Sequence, residues 1–429
     1  MGALALAVVT VVAACSSATR AAHGGGVPTT AVASTAAPAA SAAAAAAVAT
    51  TTGVTPTEVH VGALVYSSFY NDGVTGALAR FKRQNDAGGV FGRRIVVDEV
   101  ADDRSDQTQD LAVAKKLVEQ DHVFAIVPVL TQTLGASQYL AQAKVPFFGW
   151  SIQPVWCNNP YAFGFDGNDC DQTQAKSVAD TVAVEQRLFP DGTAAGKTVA
   201  LESSDADSAR LALKGFAADW KAHGATVVLE DTSIPTPPAV VGDYTPFAEK
   251  LLTSANGRPP DVIVVVLAVA GSAGLNAKLQ QLGYHGIVQG FSLYDPRIAK
   301  IAKGFVNLVQ IEPFEANTAA INQMRADVRA ESPTTQLSQP VAAGYWTADL
   351  FLAALEKAGP NLTRESLVAA LNGGFHYEVT GGTPPIDFPQ GHTQGSPCAA
   401  YVRGNGTGFD VAIPLTCAPV IPNPLLNGR

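Results

Sequence analysis

From residue 57 to residue 128, runs of apolar residues predict strands, and the helical periodicity between them predicts amphipathic helices. Strands that alternate with helices are typical of a parallel sheet wrapped by helices. In such sheets ligands bind beyond the carboxyl ends of the strands, and the first such end is Ser67-Ser68. The predicted elements are a strand Val59 to Val65, a polar loop Tyr66 to Asp72, a helix Val74 to Asn85, a strand Ile95 to Val100, a helix Gln107 to Gln120 and a strand Val123 to Pro128.

A second series with the same order of elements follows a connection, Cys157 to Asp171, that is rich in Asn, Asp and Gly. It begins with a helical pattern from Thr173 to Leu188 and contains the strongest strand pattern of the chain, Asp261 to Ala268. Two α/β series of similar size predict two similar lobes, with a later segment that returns to complete the first. Beyond Gly373 the pattern predicts short strands that end in a hairpin at the last two cysteines.

Composition and charge narrow the function classes. The 429 residues are enough for two domains, and 47% of them are hydrophobic while 15% are charged, so a sizeable core is possible. The formal net charge of -9 argues against nucleic acid as a partner, because nucleic-acid binding requires a basic surface. After the first fourteen residues, no apolar run reaches the length of a membrane span.

The amino-terminal segment is similar to a bacterial lipoprotein signal, with Val12-Ala13-Ala14-Cys15 as its lipobox. We therefore expect residues 1–15 to be the signal ending at the lipidated Cys15. A short secretory signal with an incidental cysteine is the alternative. No Lys or Arg precedes the apolar run, and the sequence leaves open whether translation starts upstream of Met1 to supply one. Residues 16–55 are rich in Ala, Ser, Thr, Gly and Pro and predict a disordered tether.

Four cysteines follow the leader, and an even number in an exported chain predicts disulfides. Three pairings are possible, and proximity along the sequence favours Cys157 with Cys170 and Cys398 with Cys417. A metal site is the alternative. The chain has no Cys-x-x-Cys spacing and its seven His are scattered, which argues against metal. We therefore expect no metal site and no cofactor.

Catalytic motifs are absent from the sequence. It contains no Gly-x-Ser-x-Gly elbow, no His-Glu-x-x-His helix and no Cys/His pair suited to nucleophilic chemistry, so we expect a binding protein and not an enzyme. The glycine-rich stretch Gly88 to Gly92 connects a helix to a strand, whereas a phosphate loop connects a strand to a helix. We interpret the acidic run Asp102 to Asp106 as a solvated cap, because it follows a strand and precedes a helix.

Several segments resemble the leucine/isoleucine/valine-type substrate-binding proteins of ABC transporters, which have the type I periplasmic-binding-protein fold. The order and spacing of these segments match over most of the chain from Val59 to Asp410. The segments are Asn85 to Ile95, Asp102 to Asp106, Ala114 to Val118, Ala125 to Pro128, Lys144 to Phe148, Leu279 to Gly283, and Gly344-Tyr345-Trp346 to Gly359.

The resemblance implies an α/β fold of two lobes joined by three crossovers that close on a small molecule. It implies delivery of that ligand to an ABC permease and ATPase complex by an extracytoplasmic monomer anchored in the membrane. We expect lobe 1 to comprise residues 56–168 plus 314–376, and lobe 2 residues 169–313 plus 377–429. The crossovers are expected near Phe165 to Asp171, Val309 to Phe314 and Tyr377 to Pro385.

The same resemblance implies a ligand site at the strand ends. We expect Ser67 and Ser68 to hold the polar end of the ligand, although helix capping is the alternative role for such hydroxyls. The expected ligand-binding residues are Ser67, Ser68, Phe69, Thr131, Gln132, Thr133, Trp150 and Ser151 in lobe 1, and Ser204, Asp205, Ala270, Phe291, Ser292 and Tyr294 in lobe 2.

One departure from the family concerns the ligand. Amino-acid-binding members commonly hold the ammonium group with an acidic residue after the strand that corresponds to Ile287 to Gly290. This chain has Phe291-Ser292-Leu293 there, and Asp205 is the one candidate for a replacement charge. This departure argues against an α-amino acid, and aromatic and hydroxyl residues suit an amide, an aromatic acid or an apolar carboxylate instead. The ligand classes that we expect are an amino acid, an amide or a small carboxylate. A sensor of the same fold that reports its ligand without transport is the alternative function.

Overall fold

The computed structural model describes residues 51–168, 170, 177–236, 239–423 and 425, without the side chains of residues 207 and 208. Cys15, the rest of the leader and residues 16–50 of the expected tether lie outside the described residues. Within the described ranges, none of the helices is both long and apolar enough to cross a lipid bilayer.

Residues 58–164 form the sheet and the first helices of lobe 1. The elements are β1 (Glu58–Val65), α1 (Ser67–Asp86), β2 (Arg94–Asp102), α2 (Gln107–Glu119), β3 (Ala125–Leu130), α3 (Ser137–Gln142), β4 (Phe147–Gly149) and β5 (Ala162–Gly164). The strands pair in parallel in the order β2-β1-β3-β4-β5. The carboxyl ends of β2, β1, β3 and β4 therefore lie side by side at one edge of the sheet.

Residues 177–309 form most of lobe 2. The elements are β6 (Ser177–Ala179), α4 (Thr181–Glu185), β7 (Thr198–Ser204), α5 (Asp207–Ala222), β8 (Thr226–Ile234), α6 (Thr245–Leu252), β9 (Val262–Val266), α7 (Val269–Gln281), β10 (Ile287–Gly290) and β11 (Phe305–Val309). Every residue of β9 is buried, as expected for a central strand of a sheet that helices cover on both faces.

The last third of the chain contributes to both lobes. Its elements are α8 (Ala319–Glu331), α9 (Gln339–Ala358), α10 (Arg364–Asn372), β12 (Phe375–Val379), β13 (Thr383–Phe388), β14 (Cys398–Gly404), β15 (Phe409–Cys417) and β16 (Val420–Pro422). Helices α8 and α9 pack on α1 in lobe 1. Strands β14 and β15 complete the sheet of lobe 2, whose order is β15-β14-β11-β10-β9-β7-β8. Short 3-10 helices lie at Pro154–Trp156, Gln186–Leu188, Pro296–Ile298, Phe314–Ala316 and Gln390–His392.

Glycines bring α1 and α9 into close contact at the centre of lobe 1. A Cβ atom on Gly344 would lie 1.8 Å from the carbonyl oxygen of Gly73, and one on Gly76 would lie 2.0 Å from that of Val341. Any larger residue at these positions would force the helices apart. Helix α1, whose first residue is Ser67, is therefore fixed against the helix that lies across the centre of the lobe.

Three predicted boundaries are wrong. The predicted loop Tyr66 to Asp72 is, apart from Tyr66, the start of α1, which begins at Ser67 because a carboxylate from a neighbouring strand caps it, as described below. The predicted helix Thr173 to Leu188 contains strand β6, which pairs with β16 from the end of the chain. The predicted tether extends too far, because the carbonyl of Gly53 accepts a hydrogen bond from the His60 N–H over 2.8 Å.

The chain passes between the two sheets after β5, after β11 and after residue 392. The third passage lies later than the predicted Tyr377 to Pro385. Those residues belong to the β12–β13 hairpin, which packs on lobe 1 because Phe388 contacts Phe163 of β5 with ring centres 5.1 Å apart. The expected assignment of residues 377–392 to lobe 2 is therefore wrong.

Both predicted disulfides are confirmed. Cys157 is bonded to Cys170, and Cys398 to Cys417. The second bond joins directly paired positions of β14 and β15, which confirms the predicted hairpin at the end of the chain.

Candidate functional site

At the edge of lobe 1, Ser67 is bonded to a carboxylate of the protein itself. Its N–H donates to Asp102 Oδ1 over 3.1 Å, and its hydroxyl donates to Oδ2 over 2.7 Å. Desolvation opposes the charge of Asp102, but hydrogen bonds from Ser67 and Arg104 outweigh it and lower the pKa of the carboxyl group. This carboxylate lies at the N-terminus of α1, where negative charge is favourable and where we expected the polar end of the ligand.

Thr131, at the end of β3, is held in a similar way. Its hydroxyl donates to the carboxylate of Asp103, which also accepts the N–H of Ser105 over 3.0 Å. Both Asp103 and Thr131 are buried. Burial raises the pKa of Asp103 in spite of these two hydrogen bonds. Thr131 therefore orders the strand ends, and its hydroxyl is already in use.

Two other hydroxyls at this edge have no such partner. In the described part of the chain, Thr133 Oγ1 and Ser151 Oγ are buried atoms without a hydrogen-bond partner. Thr133 follows β3 and Ser151 follows β4, and these two strands are neighbours in the sheet. Burying a hydroxyl without a hydrogen bond is costly, so two of them at adjoining strand ends indicate a place where a ligand can bind.

Trp150 lies between the two lobes. Its Nε1–H donates to Oε1 of Gln310 over 3.1 Å, which joins the end of β4 to the residue after β11. The ring is half-buried and contacts Tyr70 edge to face, with ring centres 6.2 Å apart. An indole held by its N–H while part of its surface stays open is suited to contact a ligand.

Three other predicted residues lie at the same edge with less defined roles. Phe69 is half-buried and packs edge to face on Tyr70 at 4.7 Å. Ser68 and Gln132 are exposed. Since exposed side chains are free to turn toward a ligand or away from it, Ser68 and Gln132 do not define the site, whereas Phe69 is held by its contact with Tyr70.

The edge of lobe 2 is lined by the ends of β7, β9 and β10. Asp205 is exposed, and its carboxylate accepts hydrogen bonds from the N–H, over 2.8 Å, and from the hydroxyl of Thr236. These bonds lower the pKa of Asp205. Ser204 is buried, whereas Ala270 is exposed in the first turn of α7. Asp205 therefore keeps its charge, but it holds the β8 loop in place.

The predicted aromatic loop after β10 divides into two parts. Phe291 and Ser292 are half-buried, and the Ser292 hydroxyl donates to that of Ser272 over 2.8 Å. Tyr294 is buried, stacks on Phe314, and donates its hydroxyl hydrogen to Glu315 over 2.6 Å. The prediction that Tyr294 binds the ligand is therefore wrong, because its ring and hydroxyl are both used inside the protein.

An ion pair also connects the two edges. Arg297 Nη1 lies 2.6 Å from Asp72 Oδ2, and Arg297 binds Asp295 of its own lobe as well. Asp72 belongs to α1 of lobe 1. This ion pair and the Trp150–Gln310 bond therefore both connect the strand-end edge of lobe 1 to lobe 2.

A cavity of about 140 Å³ lies on the lobe 2 side of the connections between the lobes. It is lined by residues that include Asp166, Thr181, Asp219, Gln310 and Ser396. Of these, Gln310 is bonded to Trp150 of the predicted ligand site. The cavity therefore adjoins the predicted ligand site through this residue.

The sequence of residues 65–408 matches the family model described as periplasmic binding protein. The chain belongs to the periplasmic binding protein family. This confirms the predicted family, and it implies an extracytoplasmic location and a role in binding solutes. No curated protein matches the chain at the sequence level.

Solved structures with the same fold extend this result. The chain is similar to a fatty acid ABC transporter substrate-binding protein from Thermomonospora curvata, with a TM-score of 0.69, 20% identity, and coverage of 86% of this chain and 94% of that one. It is similar to a branched-chain amino acid transporter substrate binding protein from Streptococcus pneumoniae in complex with isoleucine, with a TM-score of 0.65, 17% identity, and coverage of 84% of this chain and 100% of that one. It is also similar to a solute binding protein from Rhodopseudomonas palustris in complex with 3,4-dihydroxy benzoic acid, with a TM-score of 0.66, 19% identity, and coverage of 84% of this chain and 98% of that one. These likenesses confirm the predicted two-lobed α/β fold.

The acidic pair Asp102 and Asp103, which binds Ser67 and Thr131 at the strand ends of lobe 1, was missed by the prediction. We interpreted the run Asp102 to Asp106 as a solvated cap, which is correct for Asp106, since it accepts the Gln109 N–H over 2.8 Å at the start of α2. The signal that could have separated the two roles is position. Asp102 is the last residue of a strand whose end adjoins Ser67, whereas Asp106 is directly followed by a helix.

Proposed function

We propose that this periplasmic binding protein captures a small molecule between its lobes and delivers it to an ABC importer. The observation that carries the proposal is the pair of buried hydroxyls, Thr133 and Ser151, which have no partner in the described residues and lie at adjoining strand ends. A ligand with hydrogen-bonding groups would satisfy both. Closure of lobe 2 over it would exclude water and strengthen those bonds.

The ligand's polar end binds at Thr133 and Ser151 and not at Ser67. The Asp102 carboxylate already accepts both hydrogens of Ser67, and its negative charge would repel a ligand carboxylate at the same place. Trp150 and Phe291 supply apolar surface on the two sides. This set of groups suits an amide, a small carboxylate or an amino acid.

The anchor and the partners complete the proposal. Lipidation of Cys15 attaches the chain to the outer face of the bacterial cytoplasmic membrane, and residues 16–50 connect the anchor to the folded part. The protein acts as a monomer that presents its closed form to the permease and ATPase. Labelling with a fatty acid analogue tests the anchor, and Cys15→Ser is expected to abolish the label.

A thermal-shift screen of the purified chain across small carboxylates, amides and amino acids tests the function. At least one member of these classes is expected to raise the melting temperature. If none does, while a peptide or protein partner does, the proposal of a solute receptor is wrong.

Substitutions at the lobe 1 edge test the position of the ligand. Thr133→Val and Ser151→Ala are each expected to weaken binding about five- to tenfold, corresponding to about 1 kcal/mol for one hydrogen bond. Neither should lower the stability of the free protein, because neither hydroxyl has a partner in the described structure. If both variants bound the ligand with the same affinity as the wild type, the assignment would be wrong.

Trp150→Ala is expected to weaken binding without unfolding the protein, and Trp150→Phe to have an intermediate effect. Calorimetric titration with the ligand found in the screen measures the affinity, and circular dichroism checks the fold. Loss of the fold without a specific effect on binding would assign Trp150 to the core.

A further inference from the structure

Two carboxylates and an imidazole meet inside lobe 2, where α4 begins and α5 ends. His223 Nε2 lies 2.6 Å from Asp180 Oδ1 and 3.9 Å from Asp219 Oδ1. One atom from each of the three residues lies within 4.8 Å of the other two. The side chains of both aspartates are 8% exposed, and that of His223 is 21% exposed.

Hydrogen bonding does not account for all the atoms of this cluster. Asp180 Oδ1 accepts the Ala183 N–H, and Asp219 Oδ2 accepts the Val182 N–H over 3.2 Å. Asp219 Oδ1 faces the imidazole, but within the described residues it has no hydrogen-bond partner. His223 Nε2 carries at most one hydrogen, and Asp180 is the nearer acceptor. One imidazole N–H therefore leaves the second carboxylate unsatisfied.

The charge of the cluster also favours a bound cation. In the part of the chain that the structure describes, neither Asp180 nor Asp219 forms an ion pair with Lys or Arg. Glu185, one turn further along α4, is also buried, and one of its oxygens has no hydrogen-bond partner there. Two buried carboxylates, Asp180 and Asp219, thus share one imidazole.

The local backbone also favours a cation. Asp219 and His223 are four residues apart at the end of α5, a spacing that places both side chains on one face of the helix. The C-terminal end of a helix carries partial negative charge. Asp219 and Thr181 line the cavity of about 140 Å³, so a bound ion could keep a water molecule on that side.

We propose that Asp180, Asp219 and His223 form a binding site for a divalent cation of the zinc class. Zinc binds imidazole nitrogen and carboxylate oxygen at about 2.0–2.2 Å, and it commonly takes three protein ligands plus water. Ligand atoms around such an ion lie about 3–3.5 Å apart, so Asp180 and His223 separate slightly and Asp219 approaches. The ion joins α4, the first helix of lobe 2, to α5, and is independent of the solute site.

Zinc titration of the full chain carrying Cys15→Ser tests the site, because the substitution removes the thiol outside the two disulfides. After treatment with a chelator, calorimetry is expected to show one zinc ion per chain. Asp219→Asn and His223→Gln should each weaken binding at least tenfold. The amide of Asp219→Asn still accepts the Val182 N–H, so this variant keeps its fold, which circular dichroism checks.

His376→Gln is the matched control, because His376 also lies beside two carboxylates, Asp387 at 2.8 Å and Glu378 at 3.7 Å, but is 57% exposed. It should leave zinc binding unchanged. X-ray absorption of the zinc complex should show one imidazole among oxygen ligands, and zinc should raise the unfolding midpoint of the parent chain but not of Asp219→Asn. Absence of zinc binding, or binding that only His376→Gln removes, would overturn the proposal.

Discussion

The two lobes differ in how they accommodate buried carboxyl groups. In lobe 1, Asp103 accepts two hydrogen bonds, Asp349 is paired with Arg80, and Asp327 accepts from Arg83 and Tyr345 over 2.8 and 2.6 Å. Asp110 is only partly satisfied, since one of its oxygens accepts the Ala136 N–H and the other has no partner in the described chain.

In lobe 2 the buried carboxyl groups have fewer partners. Both oxygens of Glu202 and one each of Glu185 and Asp219 lack a hydrogen-bond partner among the described residues. Burial, with smaller contributions from nearby aspartates, raises the pKa of Glu185 to about 8 and that of Glu202 to about 9.

The difference teaches that the effect of a buried acidic residue depends on its donors, which Asp103, Asp327 and Asp349 of lobe 1 have and Glu202 of lobe 2 lacks among the described residues. A buried carboxylate with donors fixes the elements around it, whereas one without donors stays protonated or requires a cation. The ligand edge of lobe 1 is thus held by its own acidic residues. Lobe 2 is expected to be the lobe whose stability changes with pH and with metal ions.

The largest loss of stability is expected when a paired acidic residue of lobe 1 is removed. Asp349→Ala leaves Arg80, which is 11% exposed, without its carboxylate and removes the acceptor of the Tyr377 hydroxyl. Removing one partner of a buried ion pair costs about 3–5 kcal/mol of unfolding free energy. Urea unfolding measures the loss. Asp86→Ala, which breaks the exposed pair with Lys82, is the control and should change nothing measurable.

A smaller loss is expected for Thr131→Val. The substitution keeps the shape of the side chain but removes the hydroxyl that donates to buried Asp103. An unsatisfied buried acceptor costs about 1–3 kcal/mol, measured by the same unfolding method. Thr133→Val is the control at the same loop. Equal stability of the two variants would show that Asp103 does not depend on its donor.

In lobe 2, Glu202→Gln is expected to raise the stability of the protein rather than lower it. The folded-state pKa of Glu202, about 9, lies above its ordinary value of 4.5, so between these values the folded protein holds a proton that the unfolded chain has lost. Wild-type stability therefore falls as pH rises through this window, although the ion pair of nearby Asp231 with Lys250 remains.

Glu202→Gln removes this titration and should be more stable than wild type above about pH 7, with little difference near pH 4.5. A gain of 1 kcal/mol corresponds to roughly 1–2 °C in melting temperature for a folded part of this size. Melting curves of both proteins across the window measure the difference. Glu249→Gln, at an exposed position on α6, is the control, and a constant difference at all pH values would contradict the interpretation.

The smallest effect is expected for Arg297→Ala, which removes the ion pair between the lobes. Arg297 is 54% exposed and Asp72 is 31% exposed, and such surface pairs contribute about 0–1 kcal/mol. Stability should be nearly unchanged, and affinity for the solute should fall less than tenfold. Small-angle scattering should show a more open average shape, and Lys300→Ala, at an exposed position nearby, is the control.

Much of the fold could be predicted because local pattern and fold agree. Strand β9 is an apolar run bounded by turns, and its position in the sequence was predicted within two residues at each end. Strand β6 could not be found in this way, because its partner β16 lies more than 200 residues away in the sequence. The predicted carboxyl-terminal boundary of lobe 1 was wrong for the same reason, since the β12–β13 hairpin is held in lobe 1 by contacts with β5.

The candidate site could be predicted less well than the fold. The order of strands predicts which loops share an edge of the sheet, so Thr133, Trp150 and Ser151 could be placed at that edge. Their assignment to the ligand came from the resemblance to the family. Hydrogen-bond partners do not follow from the order of strands. The donation of the Ser67 hydroxyl to Asp102, and the burial of Tyr294 against Glu315, depend on side chains brought together by the whole fold.

The setting of Trp150 gives the protein a built-in optical reporter. Of the four tryptophans, Trp156 and Trp220 are 0% exposed and Trp346 is 2% exposed, so the surroundings of these three change little when a solute binds between the lobes. Trp150 alone has both a partly open ring and a bond that spans the two lobes. A change in intrinsic fluorescence on adding a solute would thus come mainly from a single indole, and its emission would follow closure of the cleft without any added dye.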